Sequence, residues 1–324
     1  MLLSIALVVL GLILLVAGGE LLLRGAVGLS VLLHLTPAVI GLTVVAAGTS
    51  VPELAVSAVA AWEKKADIAV ANVIGSNLFN ITIVIGLCAL IHPIRIVGNT
   101  VKLEYPVLAL VTLLCLVISQ DGVVNWLDAC LCLAVYVGFT AYMVSLVRQQ
   151  LTAAQESNLE GQVLELQTES IVKQPHWWSS LLLVATGVIL LSVGAHFTVE
   201  GACELAALLG MTERIIGLTI VSMGTGLPEV VSSVVSSYRG RSDMAIGNVI
   251  GSNMFNILVI LGVSGMLSPL PVEATLVQND GAWMMATTLL LFPLMASGFR
   301  INRMEAGLLI AVYAVYLSLL LYQG

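Results

Sequence analysis

The chain is 324 residues long with a net charge of −7; it is 59% hydrophobic, only 10% charged, and has a mean hydropathy of +1.06. A soluble domain carries about 25% charged residues, so the composition excludes one and indicates an integral membrane protein with little soluble mass. The charge itself says little about partners, because many acids sit in one polar segment; neither nucleic acid nor an obligate protein partner is implied.

A membrane span needs about 20 predominantly apolar residues. Ten segments qualify, in chain order 2–30, 36–61, 68–91, 103–119, 124–147, 178–208, 213–238, 244–267, 281–298 and 304–322. All are expected to be helical, because open strands cannot satisfy their backbone groups in lipid. The first begins MLLSIALVVLGLILLVAGG, with no basic region before it and no small-residue cleavage site. It reads as a span rather than a removed signal peptide. The segment 149–176, QQLTAAQESNLEGQVLELQTESIVKQPH, is the one long hydrophilic stretch. It divides the chain into a first half, 1–148, a polar linker and a second half, 177–324.

Five spans per half is an odd number. Two homologous halves with an odd span count must sit upside down relative to each other, the inverted-repeat plan of many secondary transporters. Basic residues then set the orientation. The loops opposite the N-terminus hold Arg24, Arg95, Lys102, Arg148, Lys173, Arg239, Arg241, Arg300 and Arg303, and the N-terminal face holds Lys64, Lys65 and Arg214. Both termini are therefore expected outside the cytoplasm and the linker inside it. Trp62, Trp126, Trp177, Trp178, Trp283 and Tyr238 fall near span ends, as interfacial belt residues do. The five cysteines, Cys88, Cys115, Cys130, Cys132 and Cys203, lie in apolar stretches without metal-ligand spacing and read as small buried hydrophobes.

The second and seventh spans open a block that occurs twice. Residues 40–86 and 216–262 align without a gap at an offset of 176, with about half the positions identical. Each copy sets one carboxylate in a long apolar run, Glu53 in GTSVPE and Glu229 in GTGLPE. Proline removes a backbone donor and clashes with the carbonyl four residues back. Gly48 and Pro52, and again Gly224 and Pro228, should therefore break the helix and free carbonyls around Ala46 to Thr49 and Ser222 to Thr225. A charged side chain at the bilayer centre costs about 2.5–3.5 kcal/mol even on lenient scales. No basic residue lies within a helical turn or two of either glutamate, so a bound cation is the better partner than a local salt bridge.

Each copy continues into a GSNxFN box. Asn72, Ser76 and Asn80 are spaced i, i+4, i+8 and share one helix face, as do Asn248, Ser252 and Asn256. Polar helix–helix fastening is the plainer reading of a single box, but duplication beside a carboxylate box favours ligation. Gly75 and Gly251 should let a neighbouring helix approach closely. Asp67 and Asp243 read as helix N-caps. The pairs Glu20/Arg24 and His196/Glu200, at i, i+4, read as interfacial or interhelical. The two halves together offer carboxylates, amides, hydroxyls and carbonyls. Such an all-oxygen set suits hard cations, Ca²⁺ above all, with 6–8 oxygens in a forgiving geometry. No Cys or His lies in either box to suggest a soft metal.

Two GTSxPE-like and two GSNxFN boxes on a chain of ten spans resemble the alpha-repeats of the sodium/calcium exchanger family, within the cation/calcium exchanger superfamily. The resemblance covers nearly the whole chain. It implies Ca²⁺ transport coupled to Na⁺ across a plasma (bacterial inner) membrane, with no cofactor and no enzymatic activity. Carried over by motif, it makes Glu53 and Glu229 ligands of both ions, joined by Thr49, Thr225, Ser76 and Ser252, with carbonyls of Ala46 and Ser222 in sodium sites; Ser50, Asn80 and Asn256 are further candidate ligands by their place in the boxes. Two positions depart from the family pattern: Asn256 replaces a usual aspartate, and Gly226 replaces a usual serine. Two carboxylates still balance one Ca²⁺, but the departures leave a K⁺-dependent or H⁺-linked exchanger open. The fold expected is an all-α membrane protein of two inverted five-helix repeats. Glu53 and Glu229 would form one cage that repels itself when empty, and spans one and six are candidates for the moving pair. A cation channel is the rival class. An intramembrane enzyme lacks any Ser/His, HExxH or paired-aspartate motif.

Overall fold

The computed structural model describes residues 1–33, 35–96, 100–150, 176–210 and 222–323. Their helices are α1 (Leu2–Leu33), α2 (Pro37–Thr49), α3 (Val51–Trp62), α4 (Ala66–Ile91), α5 (Thr100–Ile118), α6 (Trp126–Gln150), α7 (Trp177–Leu208), α8 (Leu227–Tyr238), α9 (Ser242–Leu267), α10 (Ala282–Ala296) and α11 (Arg303–Gln323). A single turn, Ser222–Gly224, precedes α8. Wide π-turns interrupt α2 at Gly41–Val45, α4 at Asn80–Val84 and α9 at Asn256–Ile260.

Seven of these helices are long and apolar enough to cross a membrane, or eight if the bent pair α2/α3 is one span. The other two expected spans are shorter here for local reasons. Residues 213–221 lie outside the described residues, which leaves the 12-residue α8. The expected span 281–298 becomes the 15-residue α10, preceded by a π-turn, Leu276–Gly281, that carries Gln278, Asn279 and Asp280. The linker residues 151–175 also lie outside the described residues.

The layering follows from burial. In α4 and α9, 67% and 83% of the apolar window is buried, against 28% in α1, 22% in α7 and 17% in α6 and α11. The two box-bearing helices are therefore the centre, and the others wrap them. Two antiparallel strand pairs tie the halves together at the ends of the bundle. β1 (Ile94–Arg95) pairs with β4 (Arg300–Ile301), and β2 (Val123–Val124) with β3 (Leu270–Pro271). At the offset of 176, Ile94 corresponds to Leu270, so each half gives one strand to each pair. Such reciprocity is what a two-fold relation between equivalent units produces.

The same reciprocity joins α1 to α7, and glycine makes it feasible. Gly11, Gly18 and Gly25 recur every seven residues on α1, and Gly187, Gly194 and Gly201 do so on α7. A methyl group on Gly18 would lie 2.8 Å from the Leu191 nitrogen and 2.9 Å from the Gly187 carbonyl oxygen. One on Gly194 would lie 2.8 Å from both the Gly11 carbonyl oxygen and the Leu15 nitrogen. Gly25 faces Ser180 in the same way, and Gly201 faces Ser4. Residue numbers rise along α1 as they fall along α7, so the two helices run antiparallel. Without a hydrophobic drive between helices in lipid, close backbone packing of small residues supplies the attraction. Ser4 Oγ adds a 2.8 Å hydrogen bond to Glu204 Oε2.

Several local expectations need correcting. Asp67 and Asp243 sit inside the first helical turn, with Lys65 and Arg241 at the cap positions and no side-chain cap bond. Their negative charge suits the helix N-terminus through its dipole rather than through a cap. Trp283 is not a free belt residue: it is half-buried, with its ring 5.8 Å from Tyr316. Trp62, Trp126, Trp177, Trp178 and Tyr238 are exposed near helix ends, as expected. Cys88, Cys115 and Cys132 are buried, but Cys130 is exposed.

Gly18→Leu should separate α1 from α7, because overfilling a packed contact typically costs 1–3 kcal/mol and here the obstacle is backbone. A thermal scan of the detergent-solubilised protein should show a clear fall in Tm. Gly138→Ala, with no described atom within 4 Å of its added methyl, should leave Tm unchanged or raise it slightly.

Candidate cation site

The site is made where α2 breaks into α3. The two helices are bent by 48° across Ser50, whose φ and ψ are −85° and 10°. Pro52 cannot donate, so the chain restarts as a new helix with Glu53 in its first turn. The second half repeats this at Gly226, with φ and ψ of −81° and 2°, and Glu229 in the first turn of α8. A helix N-terminus favours a carboxylate there. Both acids are inside the protein: Glu53 is 2% exposed and Glu229 1%. A hydrogen bond from Ser50, three residues before Glu53, reaches Glu229 and brings the two segments together.

Cross-half hydrogen bonds knit these segments into one site. Ser50 Oγ donates to Glu229 Oε1 at 3.0 Å. The Thr49 hydroxyl faces Asn248 Oδ1 at 3.4 Å and the carbonyls of Val45 and Ala46 at 3.1 and 3.3 Å. The Ala46 carbonyl is not freed by the break, since it also accepts the Ser50 N–H at 3.1 Å. The side chain of Ser222 is not described; its backbone belongs to the single turn before α8.

The boxes divide into fastening and facing residues. Asn72 Nδ2 donates to Ser57 Oγ at 2.9 Å and to the Glu53 carbonyl at 3.3 Å. Asn248 Nδ2 donates to Ser233 Oγ at 2.8 Å and Ser232 Oγ at 3.1 Å. These two amides fasten the box helices to the carboxylate helices. Asn80, Asn256 and Ser252 are buried, and Ser76 and Thr225 are half-buried. Asn80 and Asn256 each open a π-turn, a distortion frequent at functional sites. Gly251 abuts the Leu42 carbonyl as expected. Gly75 has no described neighbour within 4 Å, and the equivalent of Leu42, residue 218, lies outside the described residues.

The middle asparagine of each box went unnoticed in the sequence. Asn77 Nδ2 donates to the Asn253 carbonyl, and Asn253 Nδ2 donates to the Asn77 carbonyl, both at 3.2 Å. The two residues are equivalent at the offset of 176. Their duplication was a visible signal, but they lie off the i, i+4, i+8 face. Asn256 Nδ2 breaks the symmetry by donating to Asn77 Oδ1 at 3.0 Å.

Among the described residues, the buried polar atoms without a partner here are the oxygens Glu53 Oε2, Glu229 Oε2, Ser252 Oγ, Asn253 Oδ1 and Asn256 Oδ1 and the donor Asn80 Nδ2; Glu104 Oε2 and Ser264 Oγ are unpartnered as well. A buried polar atom left unsatisfied costs about 1–3 kcal/mol, and more if charged. Among the described residues neither glutamate forms an ion pair. No group of three or more His, Cys, Asp or Glu comes together there either. Two carboxylates with surrounding amide and hydroxyl oxygens can hold a hard cation between the halves.

Seven or eight helices of spanning length around two buried carboxylates fit the class of membrane cation transporters. The sodium/calcium exchanger protein family matches residues 3–145 and 179–322, and the chain belongs to that family. It is 38% identical over 323 residues to the CaxA protein of Alkalimonas amylolytica, covering 99% of both. It is 31% identical over 290 residues to the inner membrane protein YrbG of Escherichia coli, covering 90% of this chain and 88% of the other. A solved structure of the sodium-calcium exchanger NCX_Mj, soaked with zero Na⁺ and Ca²⁺, superimposes with a TM-score of 0.82 at 31% identity, covering 98% of this chain and 99% of that one.

Asn256→Asp would replace the donor to Asn77 by a carboxylate oxygen, 3.0 Å from Asn77 Oδ1. Asn77 cannot turn its amide without losing Asn253. The new acid must therefore take up a proton or a further monovalent ion. Ca²⁺ flux in this variant should gain either a pH dependence or a changed Na⁺ dependence; a match to the parent in both would place Asn256 outside the site.

Proposed function

We propose that the chain exchanges Ca²⁺ for Na⁺ across the plasma (inner) membrane, by alternating access to one midplane site that Glu53 and Glu229 share. The observation that carries this reading is the pair of buried carboxylates, one from each half, each with an oxygen that no side chain satisfies. Loaded with Ca²⁺ or with monovalent ions, the cage is neutralised and can pass between the two faces. Empty, it carries two like charges in a site that disfavours them, which keeps exchange coupled. The family membership and the likeness to NCX_Mj support the same reading.

The architecture proposed is ten spans in two inverted five-helix repeats. The antiparallel pairing of α1 with α7 supports it, since these helices correspond at the offset of 176. The orientation proposed places both termini outside. Basic residues gather at one end of the bundle in support: Arg95 is registered opposite Arg300, Arg303 donates to the Leu90 carbonyl at 3.1 Å, and Arg24 and Arg239 share Glu20. Lys173 and Arg214 lie outside the described residues. The pair α1/α7, packed through glycines and less buried than the box helices, is the proposed moving unit. Asn256 in place of an acid favours a second reading, a K⁺-dependent or H⁺-linked calcium exchanger with the same cage.

Flux of ⁴⁵Ca²⁺ into proteoliposomes, with Na⁺, K⁺ or H⁺ gradients imposed in turn, tests the function. A Na⁺ gradient should drive uptake, and Glu53→Gln or Glu229→Gln should each reduce it to background in folded protein. Normal flux in either variant rules out a shared cage. A cysteine at residue 160 should be labelled by a membrane-impermeant maleimide only in inside-out vesicles; labelling in intact cells overturns the orientation.

A further inference from the structure

A cavity of about 350 Å³ shares no residue with the cation cage. It lies where the π-turn Leu276–Gly281 meets α10 and the last turns of α11. Cavities of this size take small ligands. The π-turn gives it Gln278, Asn279 and Asp280, and the two helices give it the rings of Trp283 and Tyr316. These side chains hold one another. The Tyr316 hydroxyl donates to Asp280 Oδ1 at 2.8 Å, and the Trp283 and Tyr316 rings meet edge to face at 5.8 Å.

The lining is negative and partly apolar. An ionised carboxylate offers about four lone-pair sites, so the one bond from Tyr316 leaves Asp280 with capacity to spare. Among the described residues Asp280 forms no ion pair. No Lys or Arg occurs in residues 268–299 or 304–324, the stretches that supply the whole lining. A cation beside an acid and two aromatic rings is attracted by both. Gln278 and Asn279 are exposed and bring amide groups that accept and donate, and Trp283 brings an indole N–H donor. Leu319 and Leu320 complete the lining on α11, a helix long and apolar enough to cross a membrane, and Leu319 is 43% exposed.

The first half does not repeat this chemistry. At the offset of 176, Asp280 corresponds to Glu104, Gln278 to Lys102 and Trp283 to Val107. The strand registers set the last helix one residue further on, because Ile94 pairs with Ile301 and its equivalent Leu270 pairs with Val124. Tyr316 therefore corresponds to Phe139. Phe139 has no hydroxyl, Val107 has no ring, and Glu104 is buried. The cage is built from both halves, whereas the aromatic, acidic cavity belongs to one.

We propose that this cavity binds a phospholipid whose headgroup ends in a primary ammonium, the phosphatidylethanolamine class. The ammonium donates to Asp280 and to the amide oxygens of Gln278 and Asn279, against the aromatic rings. The phosphate accepts from the amide and indole N–H groups, and the acyl chains follow Leu319 and Leu320. A negative lining disfavours an anionic headgroup. A quaternary choline has no N–H to give the carboxylate.

Native mass spectrometry of the detergent-solubilised protein, titrated with dioleoyl-phosphatidylethanolamine, -phosphatidylcholine and -phosphatidylglycerol, tests this. One phosphatidylethanolamine should bind about tenfold more tightly than either other lipid, the scale of one hydrogen bond to a charged group, and Asp280→Asn should cancel that preference. Ala286→Phe fills the same cavity and leaves Asp280 in place. It should lower phosphatidylethanolamine binding several-fold, whereas Leu110→Phe, at the equivalent position of the first half, should not. Equal binding of the three lipids, or a preference that survives either Asp280→Asn or Ala286→Phe, overturns the proposal. Displacement by an equal concentration of glycerophosphoethanolamine would overturn it in favour of a soluble amine. A dimer that Ala286→Phe dissolves would overturn it in favour of a second copy of the chain. The readout needs no ion flux, so its outcome is separate from that of the antiport reading.

Discussion

Two carboxylates buried together, with no ion pair to either among the described residues, are the constraint on which the rest of this structure depends. Even on lenient scales each costs about 2.5–3.5 kcal/mol at the bilayer centre. The fold lowers that cost in three ways. Each glutamate stands in the first turn of a helix that begins at a break, where the backbone dipole is favourable. Ser50 reaches across from the other half to donate to Glu229. In the proposed function the remaining oxygens are left for a cation, whose binding would then add to the stability of the protein.

The equivalent elements of the two halves meet reciprocally, which is the arrangement the proposed function draws on. Reciprocal strand pairs close both ends of the bundle, and the Asn77–Asn253 exchange of hydrogen bonds lies on the same axis.

Much of the site was legible because duplication isolates it. Glu53 and Glu229, the broken helices at Pro52 and Pro228, and the central place of the box helices follow from two copies of one block. What was not legible depends on register across helices that sequence alone does not pair. The i, i+4, i+8 face put Asn72 and Asn248 beside the candidate ligands, and their amides fasten helices. It passed over Asn77 and Asn253, which face each other because α4 and α9 meet about the two-fold axis. The π-turns at Asn80 and Asn256 change the periodicity on which such a face is drawn. The glycine heptads of α1 and α7 were in plain view, but an apolar helix hides which of its faces meets a partner. The ten-span count rested on hydropathy, and the polar turn carrying Gln278, Asn279 and Asp280 shortens one span.

Equilibrium binding of ⁴⁵Ca²⁺ to the purified protein tests the shared cage most directly, because it needs neither a gradient nor a sealed membrane. One Ca²⁺ should bind per chain, Na⁺ should displace it competitively, and Glu53→Gln and Glu229→Gln should each abolish that single site. Two Ca²⁺ per chain, with each substitution removing only one, would contradict the account by giving each half a site of its own.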